Sequence, residues 1–148
     1  MKSRTFEVVA TLAILFSLLI PRIAGAGATN LVNSADEASL RAAIQIGGWV
    51  GFTVSGTITI TNTISITKDV FLDGGNGRMT IDGGNAVRLF YVGSGVTFGI
   101  TNLTLANGSC ILITNSVGTN ADGGAIYNDG GTVSLAACTL TNNSAQAL

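Results

Sequence analysis

The stretch Thr97 to Ser109, T-F-G-I-T-N-L-T-L-A-N-G-S, returns 35 residues later as Thr132 to Ser144, T-V-S-L-A-A-C-T-L-T-N-N-S. The apolar positions repeat more faithfully than the identities: Phe98, Ile100, Leu103 and Leu105 are answered by Val133, Leu135, Cys138 and Leu140. Each copy holds two apolar pairs at spacing two, with a change of phase between them. Spacing two puts both members of a pair on one face of a strand, and the phase change suits a bend into a second strand. Two short inward faces joined by a polar corner cannot bury themselves, so such a segment is read as one coil stacked on a similar coil. Asn107 and Asn142 fall at the same place, just past the second strand, where their side chains are expected to satisfy backbone groups at the bend.

The rest of the chain agrees with an all-β reading. Beyond residue 50, short runs of Ile, Val and Thr alternate, as in Ile58-Thr59-Ile60 and Ile64-Ser65-Ile66, and Gly and Asn punctuate them every few residues. Strands this short suit rungs better than long hairpins. The expected strands are Val50 to Val54, Thr57 to Thr61, Thr63 to Thr67, Val70 to Leu72, Met79 to Ile81 and Leu89 to Val92. A formal charge of −1 offers no basic patch to a nucleic acid, and the absence of His removes the commonest general base and metal ligand.

At the N-terminus, Lys2 and Arg4 precede the apolar run Val8 to Ile20, and Pro21 breaks it. The run is too short to span a bilayer as a helix. Ala24-Gly25-Ala26 and Ala26-Gly27-Ala28 each offer a small-residue cleavage site, so residues 1–26 read as a secretory signal peptide and the rest as a chain with no membrane span. Residues 27–48 then form an N-terminal segment with a capping helix. Ser34 and Glu37 have the form of a capping box, Leu40, Ala43 and Ile44 make an apolar face that Ile46 extends, and Gly47-Gly48 ends the helix. Residues 49–148 are the coils. Nothing resembling a closing cap follows Ser144, which reads as a chain that is a fragment of a longer protein or needs a partner.

The turns Leu72-Asp73-Gly74-Gly75-Asn76-Gly77 and Ile81-Asp82-Gly83-Gly84-Asn85-Ala86 resemble each other. The first fits a glycine-rich calcium-binding nonapeptide until Met79 stands in place of the carboxylate, so tight corners explain both more simply. Cys110 and Cys138 are the only cysteines. A disulfide is permitted in an exported chain, but Cys138 occupies the apolar position matched by Leu103, which favours burial as a small hydrophobe. Asn102-Leu103-Thr104, Asn107-Gly108-Ser109 and Asn142-Asn143-Ser144 fit the N-glycosylation pattern, a reading confined to a eukaryotic host.

Two motifs carry a family resemblance. Gly123-Gly124-Ala125-Ile126 followed by Leu140-Thr141-Asn142-Asn143 is similar to the paired G-G-A-I and F-x-x-N of secreted bacterial right-handed parallel β-helix proteins with polymorphic outer-membrane protein-type repeats. Leu140 stands where Phe is usual. Ala38-Ser39-Leu40-Arg41-Ala42-Ala43-Ile44 resembles the C-S-L-R-E-A cap of many such proteins, with Ala38 and Ala42 in place of Cys and Glu. The resemblance implies a right-handed parallel β-helix with one capping helix, a secreted or cell-surface (extracellular or outer-membrane) location, and a structural or adhesin-like role. It implies no activity.

The competing expectation is a polysaccharide lyase or glycoside hydrolase on the same scaffold. A lyase of that kind needs acids to hold calcium and an Arg or Lys to remove a proton. The available acids are Asp69, Asp73, Asp82, Asp122 and Asp129, and the bases are Lys68, Arg78 and Arg88. If the two D-G-G turns stacked on consecutive rungs, Asp73 and Asp82 would lie together beside Arg78 or Arg88, and would also be the one plausible glycosidase pair. Asp in a Gly-rich turn ordinarily bonds its own backbone. The sequence therefore assigns no catalytic, cofactor-binding or metal-binding residue and no cofactor. The expected partner is an extracellular glycan or another cell-surface protein.

Overall fold

A computed structural model describes residues 30–76, 78–112 and 121–147. The signal-peptide reading, on residues 1–26, lies outside the described residues. The chain opens with β1 (Asn30–Val32) and α1 (Glu37–Ile46). Four coils follow: β2 (Gly48–Phe52), β3 (Gly56–Thr59) and β4 (Ile64–Ile66); then β5 (Val70–Asp73), β6 (Met79–Asp82) and β7 (Phe90–Val92). The third coil holds β8 (Thr97–Thr101), β9 (Leu103–Ala106), β10 (Ser109–Leu112) and β11 (Ile126–Asn128), and the fourth holds β12 (Thr132–Ala136), β13 (Thr139–Thr141) and β14 (Ser144–Ala147).

Every described strand pairing is parallel, and the coils stack into a solenoid-like, strand-rich fold. One sheet runs β1-β2-β5-β8-β12, a second β3-β6-β9-β13 and a third β4-β7-β11, while β10 and β14 add a short fourth. Alternation along each strand turns one row inward. Val50, Leu72 and Ile100 stack on the first sheet, Ile58, Ile81 and Leu105 on the second, and Ile64 and Phe90 on the third. All are buried, and the Phe90 and Phe98 rings meet at 4.9 Å across the interior. Each such side chain stabilises the fold by about 1.5–3 kcal/mol relative to an exposed one.

The 35-residue echo is one complete coil: Thr97 pairs with Thr132, Phe98 with Val133, Ile100 with Leu135 and Leu105 with Leu140. The two preceding coils are shorter, 22 residues from Val50 to Leu72 and 28 from Leu72 to Ile100. The lengthening comes from β10 and the path that follows it. Arg88 contacts described residues on both sides of it. Its Nε donates to the Gly123 carbonyl at 2.9 Å, its Nη2 donates to the Asp122 carbonyl and lies 3.0 Å from Cys110 Sγ, and its guanidinium sits 4.8 Å from the Tyr127 ring centre.

The helix α1 differs from the capping-box reading. Asp36, not Ser34, is the N-cap: its backbone is extended and its Oδ1 accepts from the Ser39 amide at 2.8 Å. Both residues have cap-forming side chains, but the helix begins at Glu37, directly after Asp36, and Ser34 lies in the bend before it. Glu37 turns outward to the first coil instead, accepting from Arg41 and from the Thr61 amide and hydroxyl. Arg41 continues the link with bonds to the Asn62 and Thr63 carbonyls. Leu40, Ala43 and Ile44 are buried as expected, whereas Ile46 is 66 % exposed and does not extend the apolar face. Gly47, at φ 86°, closes the helix by donating to the Ile44 carbonyl. Residues 27–48 also hold an unexpected strand, β1, which pairs with β2 and lies against the helix.

These caps carry a pH signature. Hydrogen bonds from the Ser34 side chain and the Ser39 amide hold the Asp36 carboxyl below its ordinary range. Desolvation pushes the Glu37 carboxyl up, but bonds from Arg41 and Thr61 outweigh it and hold it below its usual value. A depressed folded-state pKa contributes stability above the unfolded pKa and loses it as pH falls through the folded value. The thermal midpoint is therefore expected to drop as pH falls through and below the carboxylate range. The variant Asp36→Ala/Glu37→Gln should start lower at neutral pH and show a shallower acid limb. An acid limb as steep as that of the parent would refute the assignment.

Candidate functional site

Asp73 and Asp82 do not come together on consecutive rungs. The nine residues between them carry the chain from one sheet to the next within a single coil, so Asp73 stacks with Gly51 and Thr101 while Asp82 stacks with Thr59 and Ala106. Each carboxylate closes its own turn and clamps the next coil. Asp73 Oδ1 accepts from the Gly75 amide at 2.9 Å and from Asn102 Nδ2 at 3.0 Å. Asp82 repeats the arrangement, with Oδ1 accepting from the Gly84 amide at 2.7 Å and Oδ2 from Asn107 Nδ2 at 3.0 Å.

The partner asparagines sit at strained corners. Asn102, Asn107 and Asn142 all have φ near 55°, a left-handed conformation that Asn tolerates better than most residues. Asn107 and Asn142 thus share a corner as the repeat predicts. The backbone-satisfying side chain on the last coil, however, is that of Asn143. It accepts from the Gly108 amide at 2.8 Å and donates to the Leu105 carbonyl at 2.9 Å. Between the corners, backbones approach closely: a Cβ on Gly74 would lie 2.1 Å from the Asn102 carbonyl oxygen, and one on Gly124 2.1 Å from that of Ser144. The G-G-A-I stretch therefore has a local physical role. Gly123 supplies a positive φ, Gly124 admits the next coil, and Ala125 is buried in the core.

The remaining candidates are dispersed. Asp69 Oδ1 accepts from the Thr97 amide at 2.7 Å, and Lys68 Nζ donates to the Gln45 carbonyl at 3.0 Å. Asp129 Oδ2 accepts from the Tyr91 hydroxyl at 2.5 Å, which together with desolvation raises the Tyr91 pKa. Arg78 is exposed beside the first D-G-G turn, and Arg88 makes the contacts described above. Among the described residues no three Asp, Glu or Cys side chains converge on a point that could hold a metal ion. Cys110 and Cys138 are free thiols. Cys138 packs part-buried against the core, with Sγ 3.3 Å from the Ala136 carbonyl.

What the geometry does assemble is an outer face. On the second sheet, Thr57 pairs with Thr80, Thr80 with Thr104 and Thr104 with Thr139, in the row that alternates with the buried Ile58, Ile81 and Leu105. The neighbouring row reads Thr59, Asp82, Ala106 and Thr141, and is interrupted at Ala106, which is buried. On the third sheet Ser65, Tyr91 and Tyr127 stack outward, and the two Tyr rings lie 5.6 Å apart. Trp49 and Phe71 stack at 5.3 Å on the first, where Phe71 fills the space left by the missing side chain of Gly99. Sequence reasoning found Thr-rich strands but not the row, because only register decides which threonines share a face. No described helix is long and apolar enough to cross a membrane. Neither a family model, nor a curated protein, nor a solved structure matches the chain.

Proposed function

We propose that this is a non-catalytic, secreted or cell-surface protein, structural or adhesin-like, whose stacked coils form a right-handed parallel β-helix displaying polar outer faces to an extracellular glycan or another surface protein. The observation that carries the reading is the use made of the acids: Asp73 and Asp82 are each bound by a turn amide and by an asparagine of the next coil. They act as fasteners between coils, not as an acid-base pair. Right-handedness is supported by the strong chiral preference of parallel crossovers. Export is supported by Lys2 and Arg4 ahead of the Val8 to Ile20 run and by the small residues after Pro21. The G-G-A-I and S-L-R-A-A-I motifs support kinship with the polymorphic outer-membrane protein-type β-helices.

The reading is tested by presenting the purified chain to immobilised glycans and, in parallel, incubating it with polygalacturonate and calcium. Retention without release of unsaturated products is the expected result. Turnover that vanishes in Asp73→Ala or Asp82→Ala would replace this reading with the lyase.

A further inference from the structure

We propose that the threonine row of the second sheet, Thr57, Thr80, Thr104 and Thr139, binds the surface of ice. This goes beyond the display reading and does not depend on it. The four residues occupy one register position on four successive parallel strands. Adjacent strands in a sheet lie about 4.7–4.9 Å apart, so the row repeats one chemical group at one translation, close to the shortest lattice repeat of hexagonal ice. Thr57 and Thr139 are exposed, and Thr80 and Thr104 are half-buried between their neighbours.

Strand propensity accounts for threonine facing outward, but not for which outward row it fills. The adjacent row, on the same strands, carries a charge at Asp82 and is covered at Ala106, which is buried. The unbroken row carries no charge. Whereas Thr53 and Thr61 donate their hydroxyls to Asn33 and Glu37, no side chain among the described residues engages the hydroxyls of the four. A constant repeat of one methyl and one hydroxyl is poorly suited to a single sugar, whose hydroxyls point in several directions. It suits a lattice of one repeating molecule. The methyls space the first water layer, and each hydroxyl, both donor and acceptor, can take a lattice position.

The test is ice growth in the presence of the purified full chain, read as crystal shape and as the rate of recrystallisation. Facetted crystals and slowed coarsening are expected. Thr104→Tyr, which interrupts the row, should lose the effect, and Ser65→Tyr, on the exposed outer face of the third sheet, should keep it. Circular dichroism checks that both variants fold, and should Thr104→Tyr fail to fold, Thr139→Tyr at the exposed end of the row takes its place. The proposal is overturned if the parent chain leaves ice unchanged, or if Ser65→Tyr loses as much as the row variant. It is also overturned if the row retains an insoluble polysaccharide without affecting ice, which would assign that face to glycan display.

Discussion

Leu105→Asp is expected to abolish cooperative folding, while the same change at Leu140 leaves the fold intact. Both leucines lie in one inward row and pair directly. Leu105 is fully buried between Ile81 and Leu140, but Leu140 is 50 % exposed, because no described strand of that sheet stacks beyond β13. Removing a buried leucine costs about 3–5 kcal/mol, and leaving a carboxylate in its place costs several more. Together these approach the whole stability of a small domain, about 5–15 kcal/mol. At Leu140 water reaches the new charge, and a loss of about 1 kcal/mol is expected. Urea unfolding followed by circular dichroism separates the two. A Leu105→Asp variant that unfolds with nearly the parent midpoint would show that β6, β9 and β13 are not in this register.

The second large effect comes from two adjacent glycines that fail for different reasons. At Gly74 an added Cβ would meet the Asn102 oxygen at 2.1 Å and Leu103 Cδ2 at 2.7 Å. The obstruction is mainly the backbone of the next coil, which cannot rotate aside, so Gly74→Ala should destabilise by about 3 kcal/mol, at the upper end for overpacking. Gly75 has open space around it but a φ of 61°, and Gly75→Ala should cost about 1–2 kcal/mol, the penalty for a left-handed residue with a side chain. The comparison is made at equal denaturant slope. An equal or reversed order would mean that the coils do not approach as closely as these backbones do.

The sequence exposes the coil architecture because inward rows need apolar side chains whatever the turns do. Phe98, Ile100, Leu103 and Leu105 can be aligned with their partners by eye for that reason. Turn lengths leave no comparable trace. Asp73 and Asp82, in near-identical turns nine residues apart, look like successive rungs, yet they are two corners of one coil. The strand β1 is only three residues, N-L-V, too short for a period to show. It exists through pairing with β2 some twenty residues away. Leu140 carries the same local pattern as Leu105, and its exposure depends on what lies above it in the stack. The Asp73–Asn102 and Asp82–Asn107 clamps and the threonine row share this property: each joins residues 23 to 35 positions apart, and none has a local signature.

The unequal coils also grade the chain entropically. A contact between neighbouring rungs closes a loop of 22 residues at the end that carries α1 and 35 at the other. Loop-closure entropy rises with the logarithm of that length, adding about 0.4 kcal/mol per initiating contact across the range. The helix end is thus the less costly place for the first rungs to meet, since a short loop and the bonds of Glu37 and Arg41 coincide there. Each later rung closes a longer loop but lands on a template already formed.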